Sequence, residues 1–313
     1  MPPERPPADS AARLWPPLAI FIAREKRLSD WAAARGPVVR FLYEFLRFGL
    51  KQGWACLFGG AMVALLIGTR LYYPAAAPLA RYDFLVIAAM VLQIAMLSSR
   101  LETFDELKVI LLFHVVGTGM ELFKTATGSW LYPEPGLLKI GGVPLFTGFM
   151  YGTIGSYIAR AWRLFDFRFQ HHPPLTALTL LAFAIYGNFF ADHYGLDFRY
   201  ALFIAAAVLF WRTRIFYKAW ITYRMMPLLL GFCLVALFIW FAENAGTAAH
   251  VWLYPNQLVR WSLVALWKLG SWFLLMIISY VMVAWINRPR VYVTPPEQSS
   301  PAPSCAQPYQ NRP

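Results

Sequence analysis

The sequence predicts an all-α membrane protein of about eight transmembrane helices, built as two parallel four-helix repeats. Of its 313 residues, 59% are hydrophobic and only 14% are charged, whereas soluble domains carry about 25% charged residues. Eight apolar segments approach the length of about 20 residues that a spanning helix needs. Motifs of the first half also return in the second half. This composition excludes an ordinary soluble domain, which would expose large apolar patches, and a disordered chain, which needs low hydrophobicity.

Two segments precede the apolar helices. Residues 1–20 are rich in Pro and Ala, and this composition predicts a disordered N-terminal segment. Residues 21–52 mix Lys and Arg with Phe, Leu and Trp, which predicts a basic amphipathic cytoplasmic segment. This segment either lies on the membrane surface, where basic side chains attract anionic lipid, or is an ordinary cytoplasmic lead-in.

Each apolar segment predicts one membrane-spanning helix, and the sixth is shorter than the others. The first four form the first repeat, over residues 53–165, and the last four form the second, over residues 166–288. Residues 289–313 are predicted to be a disordered cytoplasmic tail. The predicted helices are 53–72, 83–99, 107–126, 141–162, 174–191, 199–212, 226–244 and 263–286.

The distribution of basic residues predicts the orientation of the chain. With the N-terminus in the cytoplasm, 21 of the 28 Lys and Arg residues fall on the cytoplasmic side. Basic residues concentrate in the cytoplasmic loops of membrane proteins. We therefore expect a multi-pass protein of the bacterial cytoplasmic (inner) membrane with both termini in the cytoplasm. The net charge of +12 then orients the chain, and no nucleic acid is expected as a partner.

An internal duplication relates the two halves. Residues 121–133 and 243–255 match at an offset of 122, with seven of thirteen positions identical, and collinear matches lie upstream and downstream. Because a unit of four helices returns the chain to the same side, both units enter the membrane in the same direction. This is a parallel duplication about an axis along the membrane normal. We expect the two Glu…Trp-Leu-Tyr-Pro motifs to face each other across that axis.

Ionisable residues inside apolar helices are candidate functional residues, because burying a charge in hydrocarbon is costly. The third helix carries His114, Glu121 and Lys124, the seventh carries Glu243, and Lys268 lies in the eighth. We predict that Glu121 and Glu243 are catalytic. We expect each to be neutralised by a lysine, Lys124 for the first and Lys268 for the second. Alternatively, both glutamates lie at the wet interface or cap the outer turns of their helices.

Aromatic residues follow both glutamates in the chain. They anchor the helix ends at the membrane interface, or they form a cage beside the glutamates that stabilises a cation. No metal site and no cofactor is expected, since no spacing typical of either occurs. The expected partners are membrane lipid and an apolar or small-solute ligand. The predicted substrate-binding residues are His114, Lys124, Trp130, Tyr132, Asn244, Trp252, Tyr254, Asn256 and Lys268.

Several longer motifs carry a family resemblance. In the first half they are RYDF (81–84), ETFDELKVI (102–110), FHVVG (113–117), ELFK (121–124), GSW (128–130), YPE (132–134) and VPLFTGFMY (143–151). In the second half they are DFR (197–199), AEN (242–244), YPNQ (254–257) and SWFLLMIISY (271–280). On these motifs the chain resembles the bacterial membrane protein family known as domain of unknown function 817. The resemblance implies a multi-pass membrane protein and no particular activity.

A weaker resemblance covers the third and fourth helices. Glu121, Gly128, Trp130, Tyr132 and the Gly-Val-Pro at 142–144 are similar to a pattern in membrane-embedded carotenoid hydratases, by analogy alone. We consider three functions. The first is an enzyme of the hydratase or isomerase type that acts on an isoprenoid or another apolar lipid. The others are a secondary transporter of a small solute and a non-catalytic membrane assembly protein.

Overall fold

A computed structural model describes residues 16–292 of the chain. The predicted segments at 1–20 and 289–313 lie largely outside these residues, although a helix begins within the first at Pro16. The described helices are α1 (Pro16–Ala33), α2 (Pro37–Ala55), α3 (Leu57–Tyr72), α4 (Arg81–Ser98), α5 (Phe104–Ala126), α6 (Phe146–Leu164), α7 (Leu175–Ala191), α8 (Arg199–Phe210), α9 (Leu228–Ala248) and α10 (Lys268–Asn287). The described strands are β1 (Lys139–Ile140), β2 (Val143–Pro144), β3 (Arg168–Gln170), β4 (Arg214–Lys218) and β5 (Tyr223–Pro227).

The chain divides after residue 50 into two compact units. In the first unit, the Tyr43 hydroxyl donates a hydrogen bond to the Glu25 carboxylate at 3.2 Å, and Arg47 forms an ion pair with the same carboxylate. Apolar side chains along α2 are exposed. The predicted basic segment at 21–52 is therefore largely helical, and its place on the membrane surface stays a prediction.

The second unit contains a helix for each of the eight predicted apolar segments, from α3 to α10. The predicted fourth segment begins at 141 and the predicted eighth begins at 263, and each start is five residues early, because α6 begins at Phe146 and α10 at Lys268. Gly141 and Gly142 adopt φ angles of 56° and 83°, a region that glycine enters without steric cost. They turn the chain between β1 and β2, which pair as an antiparallel hairpin.

Five described helices are long and apolar enough to cross a membrane: α4, α5, α7 together with the turn that extends it to Tyr194, α9 and α10. Two others are shorter, α3 with 16 residues and α8 with 12. Helix α6 has 19 residues and includes Arg160 and Arg163. The protein is therefore a mostly helical, multi-pass membrane protein.

A three-stranded antiparallel sheet in the order β3-β4-β5 lies outside the predicted pattern of helices and loops. It joins the segment between α6 and α7 to the segment between α8 and α9. Phe169 of β3 pairs with Ile215 of β4, and both side chains are buried in the main hydrophobic core. The sheet therefore packs its inner face against one end of the helices.

Helices α5 and α6 pack closely because glycines of α6 face α5. A Cβ atom added to Gly152 would lie 2.8 Å from the Ile110 side chain, and one added to Gly155 would lie 2.6 Å from Val109. Small residues of this kind let helix backbones approach one another. The close contact brings the C-terminal half of α5, which carries Glu121, next to Tyr151 of α6.

A buried ion pair lies near the other end of α5. The Arg160 guanidinium contacts the Glu102 carboxylate at 3.0 Å, and both side chains are fully buried. Ser156 also donates to Glu102, at 2.9 Å. Removing one partner of a buried ion pair leaves an uncompensated buried charge and strongly destabilises the folded protein. This pair therefore holds α6 in register with the start of α5.

Candidate functional site

A cavity of about 750 Å³ lies among the helices of the second unit. Sites for small molecules commonly have volumes of about 300–1,000 Å³. Apolar side chains such as Met62, Leu66 and Ile154 form much of its wall, and both Glu121 and Glu243 border it. Two glutamates that are far apart in the sequence therefore share one cavity.

Glu121 is buried near the C-terminal end of α5. Its Oε2 accepts hydrogen bonds from Trp130 Nε1 at 2.7 Å and from the Tyr132 hydroxyl at 2.6 Å, and its Oε1 accepts one from the Tyr151 hydroxyl at 2.8 Å. Gly128, with a φ of 69°, follows the end of α5 and turns the chain back toward the helix. Three neutral donors therefore converge on this carboxylate and hold it in place.

Glu243 is buried near the C-terminal end of α9. Its Oε1 accepts a hydrogen bond from the Tyr254 hydroxyl, and its Oε2 accepts one from Trp272 Nε1 at 2.6 Å. Tyr254 follows α9 in the chain, and Trp272 is the fifth residue of α10. This carboxylate has the same kinds of donor as Glu121, with one tyrosine fewer.

The two loops that follow these helices pair with each other. The backbone N–H of Leu131 donates to the carbonyl of Leu253 at 2.9 Å, and the N–H of Leu253 donates back at 3.0 Å. The Trp130 and Tyr254 rings meet edge to face, with centroids 6.2 Å apart. The paired loops therefore form one aromatic wall between the glutamates.

In the described part of the chain, other contacts replace the two lysine–glutamate ion pairs that we predicted. Lys124 Nζ lies 4.6 Å from the ring centroid of Phe189 on α7. Lys268 Nζ lies 3.3 Å from the ring centroid of Tyr254 and attracts the Glu243 carboxylate from beyond ion-pair distance. Tyrosine and tryptophan donors occupy the carboxylate oxygens, so the lysines lie over aromatic faces.

Two predicted site residues lie outside the cavity wall. The His114 ring packs edge to face with Phe149 at 4.9 Å. Asn244 donates to the carbonyl of Trp240 at 2.8 Å and accepts from the backbone N–H of Val264 at 3.0 Å, so it fixes the loop before α10. The other predicted residues border the cavity: Lys124, Trp130, Tyr132, Trp252, Tyr254, Asn256 and Lys268.

Tyr151 and Trp272, which donate to the two glutamates, were not among the predicted site residues. Both lie inside motifs that carry the family resemblance, at 143–151 and 271–280. Membership of these motifs was the feature of the sequence that could have identified them as site residues. Arg199 also borders the cavity, and its guanidinium contacts Asp192 at 3.1 Å. Among residues 16–292, no three His, Cys, Asp or Glu side chains are placed to hold a metal ion.

Two tyrosines of the paired loops keep their protons at high pH. Burial raises the pKa of Tyr132 and of Tyr254 well above the ordinary value, and the neighbouring Glu121 and Glu243 carboxylates raise each pKa further. A tyrosine with a raised pKa stays neutral and can donate a hydrogen bond. Both hydroxyls are therefore permanent donors to the glutamates in the physiological range.

Comparisons with known proteins identify relatives of this chain. A family profile described as "Protein of unknown function (DUF817)" matches residues 44–280. The "Uncharacterized protein YoaT" of Bacillus subtilis (strain 168) is 44% identical over 256 residues, which are 80% of this chain and 94% of YoaT. Two crystal structures of MvINS, a mycobacterial Insig homolog from Mycobacterium vanbaalenii, are also similar, and one of them is a cross-linked trimer. Each has a TM-score of 0.42 and 15% sequence identity, and covers 60% of this chain and 98% of its own.

Proposed function

We propose a function for this chain from the premise that it belongs to the family described as protein of unknown function (DUF817). It is a membrane-embedded enzyme that carries out acid–base chemistry on an isoprenoid or another apolar lipid, as a hydratase or an isomerase. One observation carries the proposal: a largely apolar cavity holds two buried glutamates, each hydrogen-bonded to a tyrosine and a tryptophan. Carboxyl groups positioned in this way are suited to general acid–base catalysis.

We also propose that the cavity lies on the axis of an internal duplication of four helices, in a chain of eight transmembrane helices. Leu131 and Leu253, which are 122 positions apart, exchange two backbone hydrogen bonds. Reciprocal antiparallel pairing of equivalent residues is the arrangement that a twofold axis through the pair produces. Residues 132 and 254 have the same offset and make the same bond to their glutamates. In this proposal both termini lie in the cytoplasm and the membrane is the bacterial inner membrane.

Glu243 is the better candidate for the proton donor. A carboxylate offers about four lone-pair sites on its two oxygens. Glu121 uses three of them for protein donors, and Glu243 uses two. Glu243 therefore keeps more capacity to carry a proton and present it to a substrate, whereas Glu121 is positioned as a fixed acceptor.

The proposed reaction begins when the Glu243 carboxyl transfers its proton to one carbon of a C=C bond. The π electrons form the new C–H bond and leave a carbocation, which the faces of Trp130 and Trp252 on the cavity wall stabilise. Water adds to the cation and returns one proton to the Glu243 carboxylate, so alkene and water give an alcohol. Loss of a proton from a neighbouring carbon to the same carboxylate gives an isomerised alkene instead.

Lipid analysis tests this function. Extracts of a deletion strain, complemented with the natural chain, Glu243→Gln or Glu121→Gln, are compared by mass spectrometry at equal protein levels. We expect a lipid that differs by one water, or by double-bond position, to accumulate in the deletion and Glu243→Gln strains. Asp105→Asn is the control, because Asp105 is an exposed carboxylate outside the cavity wall. Identical extracts from the deletion and complemented strains would contradict the proposal.

A secondary transporter is the second candidate, and the position of the cavity favours it. The cavity wall combines residues of α5 and α6 with residues of α9 and α10, and transporters with parallel repeats bind solutes at the interface of the repeats. Proteoliposomes that contain a pH-sensitive dye would report proton-coupled solute uptake. Uptake that is lost in the Glu121→Gln, Glu243→Gln double variant and kept in Asp105→Asn would support transport over catalysis.

A further inference from the structure

Two lysines from different helices border the cavity. Lys124 lies in the last turn of α5 and is buried, and Lys268 is the first residue of α10 and is half-buried. Both side chains belong to the cavity wall. Ammonium groups that face an apolar cavity lose much of their hydration, and this loss costs free energy unless a partner replaces the water.

Neither lysine has an ion pair with a carboxylate within 4 Å among the described residues. The Lys124 ammonium lies over the Phe189 ring, and the Lys268 ammonium lies over the Tyr254 ring at 3.3 Å from its centroid. An aromatic face attracts a cation but satisfies none of its N–H donors with a strong acceptor. Each ammonium group therefore keeps donors for a ligand.

The carboxylates that border the cavity already have partners. Glu121 accepts three hydrogen bonds and Glu243 accepts two, all from tyrosine and tryptophan. Asp192 contacts the Arg199 guanidinium at 3.1 Å. These three acidic groups are thus held by neutral donors or by arginine and do not neutralise the lysines by direct contact.

The cationic groups are close enough to act on one another. Glu243 attracts Lys268 more strongly than Lys124 repels it. Asp192 attracts Lys124 more strongly than Arg199 repels it. Among the residues that the structure describes, three cations and three carboxylates border the cavity, so an anion is favoured by the free N–H donors of the two ammonium groups and not by an excess of positive charge. An anion between the two ammonium groups would reduce the repulsion between them and use their free donors.

The composition of the remaining cavity wall indicates the chemistry of the rest of the ligand. Apolar side chains of α3, α6 and α10, including Met62, Leu66, Met150 and Leu275, line the same cavity as the lysines. A volume of about 750 Å³ far exceeds what a single oxyanion fills. The anion is therefore expected to carry an apolar chain.

We propose that the cavity binds an anionic single-chain amphiphile, whose oxyanion head group, a phosphate or a carboxylate, lies between Lys124 and Lys268. This ligand class rests on the proposed function, since it names the polar part of its lipid substrate. The head group fixes the position of the chain, and the chain passes the two glutamates along the apolar wall.

Thermal unfolding of the full chain in phosphatidylcholine nanodiscs tests the site, because a ligand that binds the folded state raises the unfolding temperature. The probes are dodecyl phosphate, dodecanoate, uncharged dodecanol and inorganic phosphate. We expect dodecyl phosphate or dodecanoate to raise the unfolding temperature, and dodecanol and inorganic phosphate to have no effect at equal concentration. The response to the two charged probes identifies the preferred head group.

Lysine variants locate the site. Lys124→Met and Lys268→Met are each expected to weaken binding of the charged probe at least tenfold. Lys268→Arg, which keeps the charge, and Lys108→Met, which alters an exposed lysine, are expected to bind within threefold of the natural chain. Equal stabilisation by dodecanol, unchanged affinity in the double Lys→Met variant, or full stabilisation by inorganic phosphate alone would overturn the proposal.

Glu243→Gln separates this ligand site from the proposed enzyme. The variant is expected to bind the charged probe at least as tightly as the natural chain, because it removes a carboxylate that attracts Lys268, while it loses lipid conversion. Lipid extracts that do not depend on the protein, together with lysine-dependent binding, would remove the enzyme and keep the ligand site. Lipid conversion that depends on the protein, together with probe binding that does not depend on the lysines, would remove the ligand site and keep the enzyme.

Discussion

Glu121 and Glu243 each form a cluster with the side chains that donate hydrogen bonds to their carboxylates. The two clusters use the same kinds of donor, but the Glu121 cluster has one donor more. Each carboxylate accepts a hydrogen bond from a tyrosine eleven residues later in the chain. Each also accepts one from a tryptophan, Trp130 in the first cluster and Trp272 in the second. Tyr151 adds a third donor to Glu121, so the first carboxylate is the more fully held of the two.

The surroundings of the two clusters differ more than the clusters themselves. Lys124 lies 122 positions before Gly246, and the Trp252 ring packs so closely on Gly246 that an added Cβ atom would lie 2.2 Å from it. The first cluster thus has a cation where the second has an indole ring. The comparison teaches that the glutamate–tyrosine pair is the common part, while the charged groups around it distinguish the two sides of the cavity.

Removing each carboxylate tests the difference in donor number. Glu121→Leu leaves three buried donors without an acceptor, and Glu243→Leu leaves two. Each unsatisfied donor costs about 1–3 kcal/mol, so we expect losses of about 5 and about 3 kcal/mol in the free energy of unfolding. Denaturant unfolding in detergent micelles measures both losses. Asp105→Leu, at an exposed site, should change stability by less than about 0.5 kcal/mol, and equal losses at the two glutamates would break the comparison.

Filling the space at Gly246 tests the packing of the second cluster. Gly246→Ala forces the Trp252 ring away from α9, and such overpacking costs about 2–3 kcal/mol. Gly187→Ala is the matched control, because it lies in α7 with no neighbouring atom within 4 Å of an added Cβ. Alanine is preferred to glycine inside a helix, so the control should unfold at the same or a higher temperature. An equal loss in both variants would show that the contact with Trp252 does not limit packing.

Removing one tyrosine hydroxyl sharpens the comparison at equivalent positions. Tyr254→Phe leaves Glu243 with one protein donor, whereas Tyr132→Phe leaves Glu121 with two. A hydrogen bond to a charged group contributes about 1.5–3 kcal/mol. We expect about 2 kcal/mol of lost stability for Tyr254→Phe and about 1 kcal/mol for Tyr132→Phe, since the other donors to Glu121 compensate. A larger loss of stability for Tyr132→Phe than for Tyr254→Phe would contradict the expectation that the other donors to Glu121 compensate.

The smallest expected effect is a loss of stability at high pH, which comes from the raised tyrosine pKa that both clusters share. The pKa of Tyr132 and of Tyr254 is raised in the folded state, whereas unfolded tyrosine titrates near pH 10. The unfolded state therefore loses protons first as the pH rises above about 10, and the free energy of unfolding falls. The expected slope is up to about 1.4 kcal/mol per pH unit for each tyrosine.

Chemical denaturation between pH 9 and pH 11 measures this slope. Tyr132→Phe and Tyr254→Phe should each make it shallower by the same amount. Trp130→Phe is the control, because it removes a hydrogen bond to Glu121 without removing a titratable group. If neither tyrosine variant changes the slope of the free energy of unfolding against pH, Tyr132 and Tyr254 are not the source of the loss of stability at high pH.

The local pattern of the sequence predicted the helices well, because an apolar run of helical length has few alternatives in a membrane. The glutamates were also visible, since a carboxyl is conspicuous in an apolar helix. The donors Tyr151 and Trp272 were not singled out, because an aromatic residue in an apolar helix reveals its hydrogen bond only when another helix packs beside it. The predicted ion pair of Glu121 with Lys124 was wrong for a related reason, since the Lys124 side chain turns to Phe189 of α7.

The strands also depended on contacts that the sequence does not show locally. Residues 214–227 combine basic and apolar side chains and resemble an ordinary loop. They form β4 and β5, which pair as a hairpin over four intervening residues, and β3, more than 40 residues away, adds the third strand. Such long-range pairing depends on how the helices place the chain ends, and periodicity within the segment does not encode it.

The two hydrogen bonds between Leu131 and Leu253 have a mechanical consequence. They join the loops that follow α5 and α9, between residues 130, 132, 252 and 254 of the cavity wall. Any widening of the cavity between the two loops would have to break both hydrogen bonds, so this pair limits how far the wall can open at that point.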